Sequence, residues 1–167
     1  MIQIILASSS PVYPIWALIM AVLSLVLVPR KDYQYLLPHG ILGGAITGFF
    51  LILQTNYIKG WITLDAFPFT FLNVSVFIIV AWGFTKIIFL WSLPKDIDRW
   101  THYLYIALYA MVGVVIGSVF HNLGLRPHAP WYSGWMWFFP LYFFFWIDYK
   151  IYLLRLKLSK VNNPSPK

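Results

Sequence analysis

The sequence predicts an all-α integral membrane protein, a bundle of five transmembrane helices with its N-terminus outside and its C-terminus cytoplasmic. Three observations predict it. Of 167 residues, 60% are hydrophobic and 20% aromatic, and only 10% are charged, where an ordinary soluble domain carries roughly 25% charged residues. Apolar runs long enough to cross a ~30 Å hydrocarbon core recur five times. Threaded alternately, those runs leave nearly all the Lys and Arg on one side. So few charges cannot cover a soluble fold that must also hide nine Trp, eleven Tyr and fourteen Phe. With no cysteine, disulfides, thiolate metal sites and thiol nucleophiles are excluded.

The five spans are expected at about 13–28, 36–57, 67–93, 100–120 and 131–154, which makes residues 1–155 the transmembrane domain. Pro29, Arg30, Lys31 and Asp32 close the first run, and Asn56 to Gly60 the second. Pro94, Lys95 and Asp96 close the third; Gly124, Arg126, Pro127 and Pro130 fill the turn after the fourth. Residues 156–167 read as a basic cytoplasmic tail whose proline and polar content suggests disorder. Met1 to Leu6 lacks a cationic start, so no cleaved signal peptide is expected.

Charge sets the orientation. With the stretch before Tyr13 outside, the inner side receives Arg30, Lys31, Lys95, Arg99, Lys150, Arg155, Lys157, Lys160 and Lys167, with Lys86 able to snorkel toward it. Lys59 and Arg126 remain outside. The net charge of +7 is thus a topology signal and an attraction to anionic membrane lipid; it does not call for nucleic acid. Trp16, Trp61, Trp91, Trp100, Trp131, Trp135 and Trp137 lie near span ends, where an aromatic belt forms.

Gly40, Gly44 and Gly48 recur every four residues on the second helix, and Gly113 and Gly117 on the fourth. Each set makes one face on which another backbone approaches closely, inside the bundle or in a homo-oligomer. The fifth helix is dense in aromatics around Pro140, which is expected to kink it. Such a surface suits lipid or a planar hydrophobic ligand.

Ionisable groups at membrane depth are costly and so mark candidate sites. Lys86 and Asp148 lie about 10–12 Å inside the inner boundary by helix rise, and with His39 and His102 they form an expected inner polar cluster. An outer cluster comprises Asp65, Asn73 nearly two turns into the third helix, His121, Arg126 and His128, the arginine capping a polar loop. The His121 and His128 spacing is no diagnostic metal set, and no metal is expected. Haem b between paired histidines is a minor alternative, because bundles of this size can hold it; otherwise no cofactor is expected. No serine sits in a nucleophile elbow, so no catalytic residue is assigned.

The Asp65 to Pro68 stretch, together with the segment running from Trp131-Tyr132-Ser133 to Pro140-Leu141-Tyr142, resembles a group of small, uncharacterised multi-span membrane proteins of spore-forming Gram-positive bacteria. The resemblance implies a fold and a cell-membrane location and carries no catalytic residue. Three functions follow as expectations. The first is a non-enzymatic accessory subunit of a larger membrane complex, or a binder of lipid or a small hydrophobic ligand. The others are a small proton-coupled transporter or channel component, and a b-haem or quinone membrane anchor.

Overall fold

Residues 11–62, 69–94 and 99–162, as a computed structural model describes them, are mostly helical. Helices α1 (Val12–Leu27), α2 (Arg30–Leu53), α3 (Val76–Trp91), α4 (Arg99–Asn122) and α5 (Phe138–Asn162) are accompanied by two short strands, β1 (Thr70–Phe71) and β2 (Val74–Ser75). Pro11 precedes α1, a position where a missing N–H costs nothing. Val28 then turns extended and Pro29 caps α2. Arg30, Lys31 and Asp32, expected only to end the first span, also form the first turn of the second helix. There Asp32 meets the positive end of the helix dipole. The last turn of α2 widens into a π-turn over Gln54–Ile58, which Lys59 ends in the left-handed region at φ 56°.

The third helix is shorter than its apolar run suggests. Before Val76 the chain forms a hairpin, with Thr70 opposite Ser75 and Phe71 opposite Val74. Leu72 and Asn73 turn it with φ 47° and 61°, the pair of positive angles that suits a two-residue hairpin. Asn73 therefore lies in a turn and not inside a helix. Its Nδ2 donates to Asn56 Oδ1 (2.8 Å), and Asn56 Nδ2 donates to the carbonyls of Leu72 (2.8 Å) and Ile52 (2.9 Å), tying the turn to the end of α2.

The fifth helix also differs from its expected span. Residues 134–137 form one 3-10 turn and α5 begins at Phe138, so Pro140 sits in the first helical turn. At that position no intrahelical bond is lost, and the proline starts the helix without breaking it. At the other end α5 runs to Asn162, carrying much of the expected tail as helix.

Among the described residues two helices are both long and apolar enough to cross a membrane, Arg30–Ile58 and Trp100–Asn122. Helices α1 and α3 have 16 residues each, about 24 Å of rise. Helix α5 is longer, but Asp148, Lys150 and Arg155 fall within its first eighteen residues.

Helix α3 is central, touching α1, α2 and α5 along its length and α4 through Ser92 Oγ and Tyr109 OH, 2.9 Å apart. Its contact with α2 is the closest in the fold. A Cβ on Gly44 would stand 3.1 Å from Gly83 Cα, and one on Gly83 3.1 Å from the Gly40 carbonyl oxygen. Gly48 faces Ile79, and on α4 Gly113 faces Leu141 and Trp82. These glycines are met from within the chain, while Gly40 and Gly44 also line an open groove and Gly113 and Gly117 a cavity. Gly83 supplies the other half of the α2 seam and lacks a partner at spacing four, so it does not stand out as a motif.

The core divides by height. Phe89, Ile106, Phe145 and Tyr149 pack near the end marked by Tyr35, and Trp61, Val74, Val114, Trp137 and Leu141 near the opposite end. Trp61 and Trp137 are buried, unlike belt residues, whereas Trp100, Trp131 and Trp135 are exposed.

Gly44→Leu should force backbone apart from backbone and lower stability by about 1–3 kcal/mol. Thermal unfolding in detergent measures this against Ile41→Leu, an exposed change on the same helix that should stay within about 0.5 kcal/mol.

Candidate functional site

Two polar centres lie at different heights of the bundle. In the first, Lys86 Nζ of α3 stands 2.6 Å from Asp148 Oδ2 of α5, and the side chains are 0% and 5% exposed. The lysine does not snorkel. The Phe145 ring lies under the ammonium, 3.7 Å from centroid to Nζ. Gly43 of α2 makes the space: a Cβ there would stand 2.9 Å from Lys86 Cγ and 3.0 Å from Asp148 Oδ1. Sequence spacing places Gly43 beside the repeat of four, yet this is the glycine that admits the ion pair.

The two histidines expected at this centre pack on aromatic rings. His39 is buried beside Tyr35 and Tyr152, with ring centroids 5.9 and 5.7 Å away, and its Nε2 has no partner among the described residues. Arg155 covers Tyr35 from above at 4.4 Å and donates to its carbonyl. His102 Nε2 donates to the Pro94 carbonyl (2.9 Å), and its ring stacks on Tyr149 at 5.3 Å. Among the described residues neither histidine bonds to Lys86 or Asp148. The expected four-residue inner cluster is thus an ion pair flanked by two separate aromatic-bound histidines. Tyr149 is rotated about 100° around α5 from Asp148, and Tyr152 lies on the face of Asp148 one turn further along, so the rings they offer the histidines are displaced from the carboxylate.

The second centre joins the connection after α4 to the one after α2. Ile62 N donates to Pro127 O and Ala129 N to Gly60 O, so the two loops run as one ribbon. His121 Nδ1 donates to the Arg126 carbonyl (3.1 Å), and the His121 and His128 rings stack 4.2 Å apart at 13°. Burial, with His121 and Arg126 adding to it, pulls the His128 pKa down to about 4, so this ring is neutral at neutral pH. The imidazoles lie face to face and do not flank a gap. Asn73 is bound to Asn56 at the hairpin, and Asp65 lies outside the described residues. Among the described residues no three His, Asp or Glu are grouped to hold a metal ion.

Arg126 is not a cap on an exposed loop. It is 9% exposed and turns inward, its guanidinium 3.6 Å over the Trp61 ring and 5.2 Å from Trp137. Gly117 clears the path, since a Cβ there would stand 3.0 Å from Nη1. Burial lowers its pKa to about 10, which leaves it cationic. Its Nε and Nη2 are closed to water without an acceptor, and no carboxylate pairs with it among the described residues. A buried unpaired charge costs several kcal/mol, and a cation–π contact returns about 2 kcal/mol. The guanidinium is therefore under-compensated.

Beside it opens a cavity of about 450 Å³ walled by α1, α3 and α4. Trp16 and Met20, Ile78 and Trp82, and Ile116 and Phe120 supply apolar surface, and Arg126 lines the wall together with Trp61. Leu23, Leu27 and Val112 line the cavity and are 41–55% exposed, which gives it a lateral mouth between α1 and α4. Composition could flag Arg126, but its inward turn depends on Trp61, Gly117 and Trp137, contributed by three distant segments. No protein-family model, curated protein or solved structure matches the chain.

Removing one member of the buried pair should cost about 3–5 kcal/mol, whereas replacing both with apolar residues should be near neutral. The expected order of unfolding temperatures in detergent is wild type close to the Lys86→Met/Asp148→Leu double variant, with Lys86→Met and Asp148→Leu each far below.

Proposed function

We propose that this chain is a five-span cell-membrane protein, N-terminus outside and C-terminus cytoplasmic, that binds a lipid or small hydrophobic molecule in the cavity between α1, α3 and α4 and performs no chemistry on it. The cavity is the observation that carries the binding role. Its volume of about 450 Å³ falls within the roughly 300–1,000 Å³ of sites that enclose small ligands, and its mixture of many apolar groups with a few polar ones, Thr85, Tyr109 and Arg126 among them, is the usual make-up of such sites.

The membrane setting draws on three supports. Leu18, Leu25, Val26, Ile41, Phe49, Leu104, Leu108 and Phe139 are 62–75% exposed, an outward apolar girdle that soluble monomers rarely carry. The cationic loop residues keep their bias even with Lys86 counted as buried. The short α1 and α3 cross by local thinning of the bilayer and by anchoring of their flanking residues. A proton-coupled carrier would draw on Lys86 and Asp148, but neither lines the cavity, and their contact is accounted for by joining α3 to α5.

Because the chain has no cysteine, any introduced thiol is a unique probe. In intact cells a membrane-impermeant maleimide should label Lys59→Cys, and should label Lys157→Cys only after permeabilisation; the reverse pattern would invert the topology. For the ligand, dibromostearyl alcohol in nanodiscs should quench tryptophan fluorescence saturably, because Trp16, Trp61 and Trp82 line the cavity. Ile116→Phe, which adds bulk to the α4 wall, should weaken that quenching. Quenching that merely tracks partition into the bilayer, for the alcohol and for the corresponding carboxylate alike, would refute a binding site.

A further inference from the structure

We propose that the cavity's ligand is a single-chain amphiphile with an anionic head, held by Arg126 while its chain lies along α4. This rests on the ligand-binding role proposed above and assigns that ligand its chemistry. Size limits the chain. A cavity of about 450 Å³ is in the range that encloses one small ligand, and one long alkyl chain is the occupant we assign to it. Along α4 the lining runs from Phe120 to Tyr109, roughly 16 Å by helix rise. The mouth at Leu23, Leu27 and Val112 lets a tail slide in sideways from the apolar surroundings.

Charge selects the head. Arg126 is more than nine-tenths buried, lines the cavity and has no counter-ion among the described residues. The face of Trp61 attracts the cation but accepts no N–H bond in the guanidinium plane, so Nε and Nη2 lack acceptors. An oxyanion at this end of the cavity supplies the missing charge and meets Nη1, the nitrogen beside Gly117 on the cavity wall, and arginine matches carboxylate and phosphate oxygens especially well. A neutral head would leave the charge uncompensated, and a cationic one would be repelled.

The test compares heads on one chain length in zwitterionic nanodiscs at mildly alkaline pH, where a carboxyl is ionised. Dibromostearate, the matching alkyl phosphate and dibromostearyl alcohol are titrated against tryptophan fluorescence. Wild type should bind at least one anion about tenfold or more tightly than the alcohol, the ratio expected of a charged hydrogen bond. Arg126→Gln should bring the ratio to within about twofold, and Arg126→Lys should keep part of it. Preference for the carboxylate would identify a fatty-acid anion, preference for the phosphate a lipid phosphate, and either supports the proposal.

Equal binding of anion and alcohol by wild type would overturn the anionic head and leave the cavity's binding role standing. Saturable quenching by none of the probes would overturn both. If Arg126→Gln fails to fold, the wild-type ratio and Arg126→Lys still decide. Should Asp65 serve as the internal counter-ion, wild type would not discriminate and Asp65→Asn would acquire the preference, which also overturns the proposal.

Discussion

The contact between Lys86 and Asp148 constrains the whole arrangement. A lysine in the middle of the central helix, 0% exposed, has to meet an anion, and the anion available is on α5. That fixes the rotation of α3 about its axis. With Lys86 turned to α5, Gly83 is presented to Gly40 and Gly44 of α2, and Ala81 and Ile88 to α1. The pair does not by itself stabilise the fold by much, since desolvation consumes most of the Coulombic gain. It specifies which faces meet, and the packing of those faces supplies the stability. Gly43 is part of the same constraint, because any side chain there would separate α2 from the pair.

Elsewhere bulk and absence of bulk are exchanged between helices. Gly113 admits Leu141 and Trp82, and Gly117 admits Arg126 beside Trp137. This exchange brings backbone against backbone between α2 and α3, with a groove of about 340 Å³ left along their seam, and seats Leu141 of α5 against α4. Between α1 and α4 it is incomplete. Helix α1 packs mainly on α3, held at one end by Tyr13 OH donating to the Leu125 carbonyl and at the other by Ser24 Oγ against Tyr33 OH, 3.0 and 3.4 Å apart. The space left between these two tethers is the cavity.

How much of this is legible in the sequence depends on the range of the determinant. The helices follow from local apolar runs, and the equal depth of Lys86 and Asp148 follows from counting residues to Pro94 and Arg155. The start of α3 does not. Leu72 and Asn73 turn the chain where Thr70, Asn73 and Ser75 only lightly interrupt an apolar run and no glycine or proline stands at the turn itself, and Asn56, sixteen residues before Leu72, holds the turn. Arg126 is another such case. Among Gly124, Pro127 and Pro130 it looks like any loop cation, and only Trp61 and Trp137, brought together from remote segments, show why it turns inward. Charge and depth in the sequence group the histidines with the ion pair, whereas in the fold they pack on aromatic rings contributed by α2 and α5.

The ion pair also has a consequence in time. Synthesis reaches Lys86 about sixty residues before Asp148, an interval of roughly 3–12 s at ordinary elongation rates. In the membrane setting proposed above, α3 must pass that interval with a charged side chain and no counter-ion, a state that insertion scales penalise by about 2.5–3.5 kcal/mol. In that setting α3 would gain its counter-ion only when α5 emerges, the later helix completing the surroundings of the earlier one, and a nascent chain truncated before Asp148 would carry a stranded lysine.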